Sequence, residues 1–157
     1  MKKFLALVFM LFLLPSICFA APDIKYGKQS FDPMTGTYYL EGNVTVKNGG
    51  FTISADKAQV EMYSLEVHAQ GNIHLAQDDI VFYGDNVDVY SKNKTAKVNG
   101  DLNFTQGNTK ITAQEGSFNW ETKKITFTGN VHVKTATEDF TSSQVTYDVI
   151  THQMEKA

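Results

Sequence analysis

Gly42, Gly71, Gly100 and Gly129 stand 29 residues apart (71 − 42, 100 − 71, 129 − 100), each followed by Asn or Asp and then by Val, Ile or Leu. Self-similarity at a fixed period restricts a chain to architectures that add one like unit after another. With each glycine as position 0, eight positions per repeat are apolar: −4, −2, +2, +4, +11, +13, +16 and +18. Of these 32 places only Gly84, Gly116 and Ser142 break the rule. The intervening positions −3, −1, +1, +3, +12, +14, +15 and +17 are polar, with Tyr39 and Tyr83 as the exceptions. Alternation with a period of two marks β-strands with one buried and one wet face. It excludes helix for nearly all of the chain beyond residue 21.

The parity of the pattern changes twice per repeat. Even positions face inward up to +4, odd ones at +11 and +13, and even ones again from +16. The first change requires a turn around +5 to +8, where Asn48-Gly49-Gly50, Gln77-Asp78-Asp79 and Gln106-Gly107-Asn108 stand. The second requires a bulge or corner. The glycine at 0 is expected in an inward slot, where the missing side chain lets the strand bend. Each repeat therefore reads as two long bent strands. Such units bury nothing alone and must stack on their neighbours. A stacked antiparallel jelly roll and a parallel β-helix both satisfy the periodicity.

Residues 1–20 read as an address. Lys2 and Lys3 precede an unbroken apolar run from Phe4 to Leu14, and Cys18 and Ala20 hold the −3 and −1 places of a cleavage site. This is the form of a secretory signal, too short for a comfortable transmembrane helix. Ile17 before Cys18 speaks against a lipid anchor. Cleavage between Ala20 and Ala21 leaves residues 21–157 as a single domain of the cell envelope. Losing two lysines takes its net charge from −3 to −5. That domain holds no cysteine, which rules out a disulfide framework. Its basic residues are all lysine, and an arginine-free acidic chain argues against nucleic acid as a partner.

The interior carries the first functional question. Phe82, Phe104, Phe118, Phe127 and Phe140 occupy columns filled elsewhere by Ile, Leu or Val, with Trp120 beside them at +20. Gly84, Ala113, Gly116 and Ser142 oppose them. The contrast fits an interdigitated core or an uneven apolar groove, and a long dry groove suits acyl chains. The ends carry the second question. Ile24 and Phe31 fall in the +11 and +18 columns of a partial repeat, and Met154 falls in the −4 column of another. Neither end has a polar capping repeat, and open strand edges are adhesive. The two ends are complementary in phase. Head-to-tail stacking is expected, with Ile24 and Phe31 at one edge and Tyr147, Val149 and Met154 at the other.

Catalytic signals are weak. His74 and His132 share the outward +3 column, but no H-x-H or H-E-x-x-H spacing exists, and no metal or other cofactor is expected. Asp56 and Asp85 share position +14, with Glu115 at +15. Stacked carboxylates suit an acid/base pair or a calcium ladder in a polysaccharide-active β-helix, yet Gln114 and Ser143 interrupt the column. Ser142 and Ser143 lack a G-x-S-x-G context. There is no G-x-x-x-x-G-K-[ST] loop with which to use ATP. Lys92, Lys94, Lys97, Lys123 and Lys124 lie near repeat junctions, as solvated turns or phosphate contacts. A purely structural envelope filament is the remaining alternative.

The segment Ile24 to Asp32, Leu40-Glu41-Gly42-Asn43-Val44-Thr45-Val46, Ile53-Ser54-Ala55-Asp56-Lys57-Ala58, Phe127-Thr128-Gly129-Asn130-Val131 and Val145-Thr146-Tyr147-Asp148-Val149 together resemble the LptA family of periplasmic lipopolysaccharide-transport proteins, with its OstA-like domain. The resemblance covers essentially all of residues 21–157. It implies a non-enzymatic, incompletely closed, elongated β-jelly roll of stacked two-strand repeats, whose apolar interior carries lipid A acyl chains. Ile24, Phe82, Phe104, Phe118, Trp120, Phe127 and Phe140 are the residues expected to line that groove. It further implies end-to-end edge pairing with an LptC-like inner-membrane partner, an LptD-like outer-membrane partner and further copies of the chain. The sequence departs from the family pattern in lacking Arg and a basic C-terminal tail, so contacts to sugar phosphates would rest on lysine.

Overall fold

The computed structural model describes residues 23–48 and 51–157. The expected secretory segment and the Gly49-Gly50 turn lie outside the described residues. Eleven strands follow one another: β1 (Asp23–Lys25), β2 (Lys28–Asp32), β3 (Thr37–Asn48), β4 (Phe51–Glu61), β5 (Glu66–Gln77), β6 (Ile80–Tyr90), β7 (Thr95–Gln106), β8 (Thr109–Asn119), β9 (Lys124–Lys134), β10 (Asp139–Asp148) and β11 (Met154–Lys156). A single turn of 3₁₀-helix at Ser91–Asn93 is the one helical element among the described residues. From β3 onward each strand pairs antiparallel with the next, in one open sheet. β1 and β2 lie along the same side of β3, as one strand interrupted at Tyr26-Gly27. The repeat is therefore a hairpin. Antiparallel stacking excludes the parallel β-helix and gives the open, jelly-roll-like alternative.

Every long strand is bent at mid-length, and the cause is local. In β5 and β6, Gln70 faces Asn86 and Ile73 faces Gly84, so Gly71-Asn72 stand opposite Asp85 alone. Two residues against one is a β-bulge, which bends and twists the strand that carries it. Gly42-Asn43, Gly100-Asp101 and Gly129-Asn130 do the same in β3, β7 and β9. Both residues of each pair have positive φ: Gly71 +79° and Asn72 +50°, Gly129 +79° and Asn130 +49°. That backbone accepts Gly freely and Asn or Asp more readily than other L-residues.

The expected inward slot for these glycines is not what the fold builds. A Cβ on Gly71 would lie 2.3 Å from Asp56 Oδ2, and one on Gly129 would lie 2.2 Å from Gln114 Oε1. The glycine is thus overlaid by the polar +14 side chain of the preceding strand. The Asn72 side-chain amide then donates to Asp56 Oδ2 at 2.8 Å. In the partial first repeat, Gly27 holds the +14 place and packs against Gly42, where an added Cβ would lie 3.3 Å from the Gly27 Cα.

The line of bulges folds the sheet into two facing leaves. One leaf holds the strand halves near positions −4, −2, +16 and +18, the other those near +2, +4, +11 and +13. Phe104 on one leaf meets Phe127 on the other at 5.4 Å between ring centroids. Leu102 Cδ1 fills the space over Gly116, and Val98 Cγ1 the space over Gly84. The small residues are where facing large ones need room. Most members of the inward columns are buried, Val60, Phe104, Ile111, Phe127, Val131, Val133, Val145 and Tyr147 completely.

A third periodic feature has no counterpart in the apolar pattern. Gly36, Leu65, Lys94, Lys123 and His152, again 29 apart, all have positive φ between 54° and 67°. They stand in the turns at the outer end of the first leaf. Backbone hydrogen bonds then run from turn to turn: Met62 N–H to Gly36 O, Ser91 N–H to Leu65 O, Trp120 N–H to Lys94 O and Val149 N–H to Lys123 O. The turns stack like the strands.

The bulge accounts for a measurable asymmetry. Gly71→Ala is expected to cost about 1–3 kcal/mol, from a strained φ and the displaced Asp56. In an Asp56→Gly background the cost of the same substitution falls, leaving the backbone part alone. Urea denaturation of the two singles and the double checks this, and additivity of the two would contradict the contact.

Candidate functional site

The columns meet between the leaves, and their aromatic members are not all closed off alike. Phe82, Phe104 and Phe127, expected to line a groove, sit at 6%, 0% and 0% exposure and form a chain of ring contacts. Tyr147, expected at the C-terminal edge, joins this cluster with its ring 5.3 Å from that of Phe104. Phe118, Phe140, Trp120 and Ile24 are only half-buried. Ile24, Phe118 and Phe140 pack against the core from its rim, together with Tyr26, Met62, Leu65, Leu75, Ile80, Val89 and Met154. The seven groove candidates therefore divide into three closed within the core, three on its border, and Trp120, half-buried in the turn after β8.

A polar node crosses between the outer ends of the two leaves. Gln106, at the end of β7, is 5% exposed. Its Nε2 donates to Val149 O and to Asp79 Oδ1, both at 3.2 Å, and its Oε1 accepts from the Tyr147 hydroxyl at 3.0 Å. Burial holds the Tyr147 phenol above its ordinary range, with Asp79 and Asp148 adding to the effect and a hydrogen bond to Thr109 opposing it. Tyr147 thus remains a donor at neutral pH. Sequence reading placed Gln106 in a turn. Its burial follows from the facing leaf, which no local pattern reveals.

The edges are short and open. β11 spans three residues and pairs with Val145–Tyr147 of β10 only. Val149 is buried beyond the end of β10, and Met154 is half-buried opposite Tyr147. At the other end Ile24 pairs with Val46, and Phe31 with Tyr38, its ring 4.5 Å from that of Tyr38. Phe31 stays 47% exposed. Lys156 Nζ lies 3.5 Å over the Phe140 ring at the C-terminal edge.

The other candidates have local roles. Asp56 and Asp85 each cover a bulge glycine. His132 Nε2 lies 2.6 Å from Asp139 Oδ1 and holds that carboxyl below its usual range. The His74 ring stacks on Tyr83 at 4.8 Å. Ser142 donates to Gln144 O at 2.9 Å on β10, across from the bulge of β9. Lys94, Lys97 and Lys124 pair with Glu121, Glu115 and Glu155.

One cluster escaped the motif search. Glu61, Glu66 and His68 bring a ligand atom each within 4.8 Å of one another on the outer face of the first leaf. Glu66-Val67-His68 is the visible signal, since residues two apart share one face of a strand. Glu61 joins them because the β4–β5 hairpin sets it opposite Glu66.

Residues 52–153 match the family described as LptA/(LptD N-terminal domain) LPS transport protein. Over 71 residues the chain is 31% identical to the LPS-assembly protein LptD of Acinetobacter baumannii, a match covering 45% of this chain and 9% of that much longer relative. The fold resembles the crystal structure of LptH of Pseudomonas aeruginosa, described as the LptA-homologous periplasmic component of the conserved lipopolysaccharide transport device. That likeness has a TM-score of 0.56 at 11% identity and covers 62% of this chain and 75% of the other.

Gln106→Ala leaves the Tyr147 hydroxyl and the Val149 carbonyl without their partner. It is expected to lower stability by about 1–3 kcal/mol. Tyr147→Phe, which removes only the donor, costs about 0.5–1.5 kcal/mol. Thermal denaturation of both variants checks the order.

Proposed function

The chain belongs to the LptA/LptD N-terminal-domain family of LPS transport proteins, and from that membership we propose that it works in the periplasm as a passive segment of a lipopolysaccharide bridge. Lipid A acyl chains are sheltered between its two leaves. The observation that carries this reading is the apolar interior of an open sheet, bordered by the half-buried Ile24, Phe118 and Phe140; Trp120, half-buried in the neighbouring turn, is proposed to join them. Phe104 and Phe127 are reached only when the leaves part.

Magnitudes favour a sheltering role. Each buried CH₂ is worth about 0.8 kcal/mol, so a twelve-carbon chain represents roughly 9 kcal/mol as an upper bound. Several such chains do not cross water unaided. Transfer between two like interiors is nearly isoenergetic, so direction comes from elsewhere. The sequence has no phosphate loop with which to use ATP, and the role we propose is that of a passive conduit.

The open edges extend the reading to assembly. Ile24 and Phe31 on one side and Tyr147, Val149 and Met154 on the other are the proposed contacts to an LptC-like partner, an LptD-like partner and further copies of this chain. The N–H and C=O groups on the outer sides of β1, β2 and β11, which no strand among the described residues pairs, offer the hydrogen bonds.

A photo-crosslinker at Phe118 or Phe140 is expected to capture lipopolysaccharide in cells, and one at Tyr83 on the outer face is not. Absence of adduct at Ile24, Phe118 and Phe140 alike would favour a dry structural filament instead. Sedimentation across concentrations tests the edges separately. Met154→Lys, a charge on the edge strand, is expected to raise the concentration needed for association about tenfold or more. A protein that stays monomeric throughout counts against edge pairing.

A further inference from the structure

The outer-face cluster at the β4–β5 hairpin has the composition and the support of a metal site. Glu61 and Glu66 are direct cross-strand partners, and like charges placed opposite one another repel. His68, the next outward residue of β5, points Nε2 at both, 3.9 Å from Glu61 Oε1 and 3.7 Å from Glu66 Oε2. Its other nitrogen, Nδ1, donates to Asp88 Oδ1 on β6 at 2.7 Å. A carboxylate on the far nitrogen fixes ring orientation and tautomer, the usual second shell of a metal-bound histidine. Glu61 is oriented too: Ser64 donates to its Oε2 at 2.9 Å, leaving Oε1 toward the histidine.

The charge balance calls for a cation. Three half-buried carboxylates surround one imidazole, and no lysine among the described residues pairs with any of them. Lys97, the strand partner of Asp88, reaches Glu115 instead at 3.9 Å. The negative field extends to Tyr90, whose phenol is held above its ordinary value by burial first and then by Asp88 and Glu66.

We propose that Glu61, Glu66 and His68 bind a divalent transition-metal ion of the zinc class, with Asp88 and Ser64 as the orienting second shell. One imidazole nitrogen and two carboxylate oxygens select such an ion over calcium or magnesium, which favour all-oxygen shells. Zinc–ligand distances of about 2.0–2.2 Å put tetrahedral donors roughly 3.3–3.6 Å apart. The three atoms reach that spacing by small rotations of two flexible glutamates. The remaining coordination position faces solvent beside a shallow cleft of about 350 Å³, lined by Gln59, His68, Gln70, Asn86, Asp88 and Asn99. Bound metal ties the β4–β5 hairpin together on the face opposite the apolar interior. The site stands independently of lipid transport.

Calorimetric titration of the untagged protein with Zn²⁺ is expected to show one site per chain, and Co²⁺ is expected to give a visible absorption band of low-symmetry coordination. His68→Ala abolishes both. Asp88→Asn, which keeps the ligands and weakens their support, lowers affinity about 10- to 100-fold. Glu61→Gln preserves side-chain volume and also loses tight binding, while circular dichroism reports that the fold persists. Zinc also raises the melting temperature of the parent and not that of His68→Ala. No zinc uptake, or uptake that survives His68→Ala and disappears in His132→Ala, overturns the assignment.

Discussion

Everything in this molecule depends on one extra residue per strand pair. A flat stack of antiparallel hairpins would leave its apolar face against water. The Gly-Asn or Gly-Asp bulge, two residues opposite one, turns each pair back on itself at the same height. Because the bulge recurs at one phase of the repeat, the bends align and a single sheet becomes its own partner. The polar +14 side chain lying on Gly71, Gly100 and Gly129 keeps the outer side of the bend filled. The apolar columns then face one another, and burial supplies the stability that no hairpin has alone.

The two leaves are shut along their length, and what differs is the interior from its border. From β6 to β10 the aromatic chain of Phe82, Phe104, Phe127 and Tyr147 fills the interior, and Gln106 joins the outer ends. Elsewhere the border is made by half-buried aliphatic and aromatic side chains, among which hydrogen bonds play no part. The proposed sheltering role calls for both conditions: enough packing to keep the sheet folded, and a border held by weaker contacts than the interior. Van der Waals contacts along a rim yield gradually. A buried amide with three partners does not.

Strands, turns and bends were legible in the sequence because each is written as a local period. Parity locates the corner near +14 and the turn near +6, and both stand where parity places them. The side of the bend on which glycine sits was not legible, since alternation counts residues and says nothing of a φ of +79°. Nor was the left-handed column of Leu65, Lys94, Lys123 and His152. Only Gly36 in that series carries a residue type that signals such backbone, and the stacked turns hold the others there. Phe104 and Phe118 look alike in sequence, both aromatic in apolar columns. One is closed in the core and the other borders it, a distinction set by the leaf opposite. His68 was missed because its partners come from three strands, and only Glu66 lies near it along the chain.

Each long strand runs without interruption through the bend, so its two halves are tied by covalent bonds. The leaves therefore cannot slide past one another, and only the angle between them is free. Ladder hydrogen bonds join every strand to its neighbours on both sides of the bend, so a change of angle at one pair is passed to the next. The molecule is mechanically a book bound along a glycine spine: stiff along its length, resistant to shear, and soft in a single motion.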